Sequence, residues 1–203
     1  MTILLSDPVV HAVRVRDNGD PLVPLPFARG VLVRAGLADR LTAARAALPA
    51  GLDLRVVEGH RTLADQRAII DAYAGELRGL YPDADEVELT RLYSRFVAPI
   101  AVAPHVAGAA VDLTLVDEAG DDLWMGTPID ATPEQSDGAC FFSADVDRVA
   151  RRNRTVLAHV LTHAGLVNYP TEWWHWSYGD RYWALLTGAD HAVYGPVGTT
   201  VSV

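Results

Sequence analysis

Apolar residues recur every three to four positions in several segments of the chain, a spacing that places them on one face of a helix. Ser143 is a suitable N-cap for the longest of these segments, and Gly165 follows its end, where a residue with positive φ often stops a helix. The predicted helices span Val31–Leu48, a segment from near Thr62 through Tyr73, Asp85–Val97, about Ser143–Ala164 and about Arg181–Leu186.

Two other segments alternate between apolar and polar residues in the manner of β-strands. One is Leu52–Val57, and the other is Val111–Val116, in which Asp112 faces the opposite side from Leu113. Residues Trp124–Ala139 are rich in turn formers and are expected to be irregular. Helices and short strands alternate without the regularity of βαβ units, so we predict an α+β fold.

The chain is acidic, with 26 Asp and Glu residues, 17 Lys and Arg residues and a formal net charge of -9. Nucleic acids and anionic membranes attract clustered positive charge, so neither is expected as a partner. Arg151, Arg152 and Arg154 form too short a run to change this and are interpreted as a solvated helix face. With half of its residues apolar, the chain is expected to form one domain over residues 1–203.

The N-terminal sequence MTILLSDP has no basic region, and its apolar run is too short for a signal peptide. No other apolar run approaches the roughly 18 residues of a membrane span. A cytoplasmic location is therefore expected. Cys140 is the single cysteine, which excludes an internal disulfide and a multi-cysteine zinc site, and it is expected to be a small buried core residue.

The segment P-H-V-A-G-A-A-V-D carries His105 just before a predicted turn and Asp112 in the strand that follows. Gly108 can adopt backbone angles that other residues avoid, so the chain can double back and bring the imidazole beside the carboxylate. One His and one Asp supply half of a mononuclear zinc site. A capping Asp and an exposed loop His explain the same two residues without a metal.

The segment P-T-E-W-W-H-W-S-Y-G-D-R-Y-W supplies what such a site still lacks. His175 completes a set of two His and one carboxylate, which leaves a coordination position open for water, and Glu172 can take that water's proton and pass it to a leaving amine. In a flat strand these two residues face opposite sides, so a bulge or tight turn is predicted here. Trp173 and Trp176 are either walls that exclude water or ordinary core residues.

Two further groups of residues resemble functional sites in composition. Arg61, in E-G-H-R after the first predicted strand, can stabilise a carbonyl oxygen that becomes negative in a transition state, or can form a surface salt bridge. His159 and His163 are four residues apart on the long helix, but Val160 replaces the glutamate of an H-E-x-x-H motif. These two histidines are not expected to be metal ligands.

Together, H-x6-D, E-x2-H and the upstream E-G-x-R resemble the motifs of VanX-like D-alanyl-D-alanine dipeptidases, which are zinc metallopeptidases. M-G-T-P-I-D and W-S-Y-G-D-R-Y-W-A are also similar to family segments, and the resemblance covers most of the chain. It implies an α+β fold of the Hedgehog and D,D-peptidase type, with one zinc on a small antiparallel sheet flanked by helices. The implied roles are zinc ligation by His105, Asp112 and His175, base catalysis by Glu172, stabilisation of the tetrahedral intermediate by Arg61 and binding of the dipeptide's amino group by Asp130.

Two positions depart from the family pattern. The family usually has Ser two residues before the first ligand, where this chain has Ala103, so a hydroxyl that can bind substrate is absent. The usual Tyr before the Arg is replaced by His60, which is expected to alter a pocket wall. Both changes bear on which dipeptide is preferred, and neither touches the residues of the core chemistry.

The resemblance implies zinc-dependent hydrolysis of a free D,D-dipeptide, D-Ala-D-Ala above others, with a small zwitterion as the partner. One alternative is a D,D-carboxypeptidase that acts on longer cell-wall peptides, although that substrate lies outside the membrane and no signal peptide is seen. The other is a non-catalytic zinc-binding module of the same fold, although a purely structural site needs neither Glu172 nor Arg61. The sequence gives no oligomeric state.

Overall fold

The computed structural model describes residues 2–198 and has the predicted α+β character. A short antiparallel pair comes first in the chain, and a four-stranded antiparallel sheet with the order β3-β4-β6-β5 follows it. The strands are β1 Leu22–Pro24, β2 Leu32–Arg34, β3 Leu52–Glu58, β4 Ala110–Asp117, β5 Val167–Asn168 and β6 His175–Ser177.

Side-chain caps start most of the longer helices, because the first N–H groups of a helix lack partners within it. The Thr62 hydroxyl accepts from the Asp65 N–H, and the carboxylates of Asp85, Asp147 and Asp180 cap the three later helices. The helices are α1 Pro8–His11, α2 Ala35–Ala46, α3 Leu63–Leu80, α4 Glu86–Tyr93, α5 Arg148–His163 and α6 Arg181–Thr187, and a 3₁₀ turn covers Ile100–Val102.

Three predicted helix boundaries are wrong. The helix expected from Val31 begins four residues later, because residues 32–34 pair with β1 as a strand. The long fifth helix starts at Arg148 and not at Ser143, since the carboxylate of Asp147 accepts the first N–H groups. Helix α4 ends at Tyr93, four residues short of the predicted end.

The largest core cluster contains buried side chains of α2 and α5 together with those of β3, β4 and β6. Val111, Leu113 and Leu115 of β4 lie in it, as do Cys140 and three tryptophans, so the prediction of a buried cysteine is confirmed. Arg154 lies here too, contrary to the interpretation of the arginine run as a solvated face. Its guanidinium is buried and donates to the backbone carbonyls of Met125, Ala139, Phe141 and Phe142.

A second core cluster joins the N-terminal segment to the part of the chain that carries the candidate site. Leu4 and Leu5 pack beside Tyr169 and Tyr182, and the Leu5 N–H donates to the Tyr169 hydroxyl at 3.1 Å. That hydroxyl in turn donates to the Ser94 carbonyl. Within residues 2–198, the structure contains no helix with the length and apolar character needed to cross a membrane.

Candidate active site

The register of the sheet aligns two carboxylates and one imidazole across three adjacent strands. Asp112 on β4 pairs with Glu58 on β3 at one side and with His175 on β6 at the other. A bulge on β3 makes the first pairing possible, because the register shifts between Val56 and Glu58 and leaves Val57 as the extra residue, 47% exposed. The bulge thereby turns Glu58 towards the side on which Asp112 lies.

His105 reaches the same place from the turn that precedes β4. Gly108 has φ of 65°, and a Cβ there would lie 2.5 Å from Leu22 Cδ2, so both the backbone angle and the packing require glycine. The Nδ1 atom of His105 is 2.7 Å from the Gly59 carbonyl oxygen, which makes it the N–H donor. In the neutral ring the lone pair is then on Nε2, which points to Asp112 and His175.

The ligand atoms of His105, Asp112 and His175 all lie within 4.8 Å of one another, and all three side chains are buried. His105 Nε2 is 3.1 Å from His175 Nδ1 and 3.3 Å from Asp112 Oδ2, and His175 Nδ1 is 3.0 Å from Asp112 Oδ1. A zinc ion with ligands at about 2.0–2.2 Å in a tetrahedron separates them by roughly 3.3 Å. The donor set therefore fits zinc. The Gly59 carbonyl oxygen accepts from His105 Nδ1 and so fixes the orientation of that imidazole, as hydrogen-bond partners outside the coordination sphere of a metal commonly do.

Electrostatics in this cluster favour a cation. Although burial raises the pKa of Asp112, the adjacent His105 and His175 lower it well below its usual range. Asp112 is only 4% exposed, so its negative charge needs a close positive partner. A bound divalent cation supplies such a partner and lets both imidazoles stay neutral.

Glu172 stands on the predicted tight turn, which the structure confirms over residues 170–174. The Glu172 N–H donates to the Tyr169 carbonyl at 3.0 Å, and the His175 N–H donates to the Glu172 carbonyl at 3.3 Å. Both side chains thus face the same side, with Glu172 Oε2 3.8 Å from His175 Nδ1. Burial raises the pKa of Glu172 well above its ordinary value, and the negative charges of Asp112 and Asp130 add to this effect.

Arg61 forms the salt bridge that was one of its two sequence-based interpretations. It also lines the cavity that contains the cluster of His105, Asp112 and His175. Its Nε donates to Glu58 Oε1 at 2.6 Å, its Nη2 donates to Glu58 Oε2, and its Nη1 donates to Gln66 Oε1 at 3.0 Å. Gln66 is buried and is fixed by its own bond to the Ala98 carbonyl at 2.7 Å. Three of the five N–H groups of the guanidinium are used in this way, so one N–H on each terminal nitrogen is left for a ligand.

Asp130 lies in the irregular segment between β4 and α5, and its backbone is in the left-handed region with φ of 64°. Such angles are unusual for a residue other than glycine and concentrate at functional sites. Its side chain lines the same cavity as Glu172. Burial, reinforced by the negative charges of Asp112 and Glu58, raises the pKa of the Asp130 carboxyl to about 6.

The cavity that these groups share has a volume of about 290 Å³. Its polar wall contains all six residues that the sequence singled out for the site. Its apolar wall, which sequence reasoning missed, is contributed mainly by Leu5, Ile69, Phe96, Val97 and Tyr169. Those residues come from four separate segments, and each of them has the apolar character of an ordinary core residue. The sequence therefore gives no sign that they line a cavity.

Trp173 and Trp176 are core residues and do not line the cavity. The Trp173 indole donates to the Thr127 hydroxyl at 2.9 Å, and the Trp176 indole donates to the Trp173 carbonyl at 3.1 Å, so they anchor the turn from behind. His159 and His163 are exposed on α5 and lie apart from the cluster of His105, Asp112 and His175.

The two departures from the family pattern are not found in the wall of the cavity. Ala103 is buried in the second core cluster, where it neighbours Tyr169 and Tyr182. His60 is half-buried. Within the described residues 2–198, neither is among those that line the cavity that holds the candidate site, so any effect of either on substrate choice is indirect.

Comparison with known proteins assigns the chain to a family. The D-ala-D-ala dipeptidase family model matches residues 28–192. A D-alanyl-D-alanine dipeptidase of Synechocystis is 28% identical over 92% of this chain and 95% of its own length, and one of Escherichia coli is 38% identical over 40% of this chain and 41% of its own.

Two solved structures are also similar. One is a vancomycin-resistance D,D-pentapeptidase, VanY, in complex with Zn(II), with 19% identity, a TM-score of 0.47 and coverage of 85% of this chain and 88% of that one. The other is the D,D-dipeptidase VanXYg in complex with a D-Ala-D-Ala phosphinate analogue, with 20% identity, a TM-score of 0.48 and coverage of 93% and 72%. The family match spans most of the chain, and this chain therefore belongs to the D-ala-D-ala dipeptidase family and is a zinc metallopeptidase.

Proposed function

We propose that this chain hydrolyses free D-Ala-D-Ala to two molecules of D-Ala. The observation that carries the proposal is the placement of a buried His-Asp-His donor set, a buried glutamate and a half-buried arginine around one small cavity. Each of the three parts alone has a structural explanation. Together they are the parts that peptide hydrolysis needs: a metal, a proton carrier and a stabiliser of negative charge.

We assign the metal to His105 Nε2, His175 Nδ1 and the Asp112 carboxylate, whose spacing suits zinc. Zinc in such a site supplies Lewis-acid activation of water and polarisation of a carbonyl group. The three residues hold the site in a fixed shape, because two of them are on paired strands and the third is tied to the Gly59 carbonyl. The open side of the donor set faces the cavity that a substrate must enter.

Glu172 is proposed to move the protons. It takes one from the attacking water and gives one to the amine that leaves when the peptide bond breaks. Its raised pKa, caused by burial and by neighbouring negative charge, suits a group that must be protonated and deprotonated in one cycle. A bound divalent cation nearby lowers this pKa towards the neutral range, where a general base works best.

Arg61 is proposed to stabilise the negative oxygen of the tetrahedral intermediate. Glu58 and Gln66 fix its guanidinium, so little reorganisation is needed when charge develops on the substrate. The two remaining N–H groups are available to the cavity that it lines.

Asp130 is proposed to bind the free amino group of the dipeptide, which would make the cavity specific for short substrates. A volume of about 290 Å³ is just below the roughly 300–1,000 Å³ range of ligand pockets, as expected of a cavity for a very small substrate. The apolar wall formed by Leu5 and Phe96 suits the methyl groups of D-Ala. We further propose that residues 1–203 act as one catalytic domain in the cytoplasm, with Leu5 of the N-terminal segment completing the pocket.

A panel of substrates tests this function. Zinc-loaded protein is incubated with D-Ala-D-Ala, L-Ala-L-Ala, N-acetyl-D-Ala-D-Ala and a longer peptide ending in D-Ala-D-Ala, and released alanine is measured. We expect rapid cleavage of the first alone, with the N-acetylated substrate slower by roughly 30- to 1,000-fold because the amino group no longer pairs with Asp130. Equal turnover of the longer peptide would favour a carboxypeptidase. Stoichiometric zinc without any peptidase activity would leave a binding module.

A further inference from the structure

The side chain of Asn168 joins the middle of the turn, at Glu172, to the first residue of β6, His175. Its Nδ2 donates to the Glu172 carbonyl at 2.9 Å and to the His175 carbonyl at 2.9 Å. An amide nitrogen has two hydrogens, so both are used here. A single planar group thus joins the backbone of the proposed base to the backbone of a proposed metal ligand.

Backbone bonds also cross this turn, but in the described part of the chain none of them reaches both carbonyl groups. The His175 N–H bond to the Glu172 carbonyl is long at 3.3 Å. The Tyr169 N–H donates to the His175 carbonyl at 3.0 Å, and the Tyr169 carbonyl accepts from the Glu172 N–H at 3.0 Å. Asn168 itself is fixed by its place on β5, where it pairs with Trp176 of β6. The amide is therefore attached to a strand of the sheet and bonds to the turn that joins β5 to β6.

From this geometry we infer that Asn168 is a positioning residue that sets where the Glu172 carboxylate lies relative to the metal site. The inference rests on the function proposed above. The distance that Asn168 would maintain is the 3.8 Å between Glu172 Oε2 and His175 Nδ1. A shift of about 1 Å in a reacting group can cost on the order of 100-fold in rate, so a loosened turn is expected to lower kcat.

The variant Asn168→Asp is nearly isosteric but replaces the donor with an oxygen that faces two carbonyl oxygens. We expect it to keep stoichiometric zinc and a KM close to wild type while kcat for D-Ala-D-Ala falls by about 10- to 100-fold. Asn153→Asp is the matched control, since Asn153 also donates through Nδ2 to a backbone carbonyl, that of Trp124, at 2.9 Å, and does not line the cavity. The control is expected to retain wild-type kcat.

A double-mutant cycle separates positioning from general structural support. If Asn168 acts through Glu172, then Asn168→Asp has little further effect in the Glu172→Gln background, measured in single turnovers with enzyme in excess. Wild-type kcat in Asn168→Asp would overturn the inference. So would an equal fold-loss in both backgrounds, because that pattern assigns Asn168 to the fold as a whole.

Zinc content and thermal unfolding of each variant complete the experiment. Should Asn168→Asp fail to fold, Asn168→Ala removes the same donors without adding charge and takes its place in the cycle. Loss of zinc from both would overturn the inference by making Asn168 a support of the metal site. If wild-type protein with bound zinc cleaves no D,D-dipeptide, the proposed function itself fails, which is distinct from normal cleavage by an Asn168 variant.

Discussion

Replacing Glu172 with Gln tests its proposed role as proton carrier with the least change in shape. Gln has the same size and can keep hydrogen bonds, but it cannot accept a proton from water at neutral pH. The side chain is assigned no place among the metal ligands, so zinc content is expected to stay at the wild-type level. The substitution also removes a buried carboxyl from a group of negative charges, so it is not expected to lower the stability of the metal-free protein.

The structure sets the size of the expected loss by showing what else could serve as a base. General acid–base catalysis contributes typically about 10²–10⁴-fold. Of the other carboxylates in the cavity, Glu58 has both oxygens bonded to Arg61, and Asp112 has both oxygens against the two histidines. Among the carboxylates of residues 2–198 that line the cavity, this leaves Asp130, which is proposed to bind the substrate. We therefore expect a loss of at least about 10³-fold in kcat, or roughly 4 kcal/mol of transition-state stabilisation.

The assay follows release of D-Ala from D-Ala-D-Ala by zinc-loaded wild type and variant at matched metal content. Wild-type and variant unfolding curves establish that the fold is unchanged. Near-normal activity of Glu172→Gln would refute the assignment of the base. If the loss came with loss of zinc, Glu172 would have to be reassigned as a metal ligand.

Three further outcomes follow from the contacts of single side chains. Arg61→Lys should lower kcat by about 10²-fold or more with zinc retained, because an ammonium cannot hold Glu58 in two places and still offer two donors to the substrate; the measurement is steady-state kinetics with metal analysis. Asp130→Asn should lower kcat/KM for the free dipeptide by roughly 30-fold or more and leave the rate on the N-acetylated dipeptide unchanged. Arg154→Met should lower the free energy of unfolding by about 4 kcal/mol in urea titration, as four hydrogen bonds at about 1 kcal/mol each are lost.

The sequence was most informative where the spacing of residues imposed a geometric condition. Asp112 in an alternating strand and the E-x2-H spacing together predicted that Glu172 and His175 must share a side and that the strand must be interrupted. The structure confirms the turn. Gly108 was likewise predicted to reverse the chain, and its positive φ and close packing bear this out.

Other features depended on contacts between distant segments and had no local signal. Leu32–Arg34 continues the Ala-Leu-Arg pattern of α2, and only its pairing with β1 makes it a strand. Arg154 belongs to a charged run, yet it finds its carbonyl partners in a loop 12 to 29 residues away. Glu58 was visible in E-G-x-R, but its role as the holder of Arg61 depends on a bulge that the alternation of β3 does not reveal.

The central claim is that the buried His-Asp-His cluster is the zinc centre of a dipeptidase. Metal content and D-Ala-D-Ala turnover of His175→Ala test it most directly, with His163→Ala as the control, because His163 is an exposed histidine outside the cluster. We predict one zinc per chain and full activity in the wild type and the control, and loss of both zinc and activity in His175→Ala. Stoichiometric zinc in His175→Ala would contradict the account.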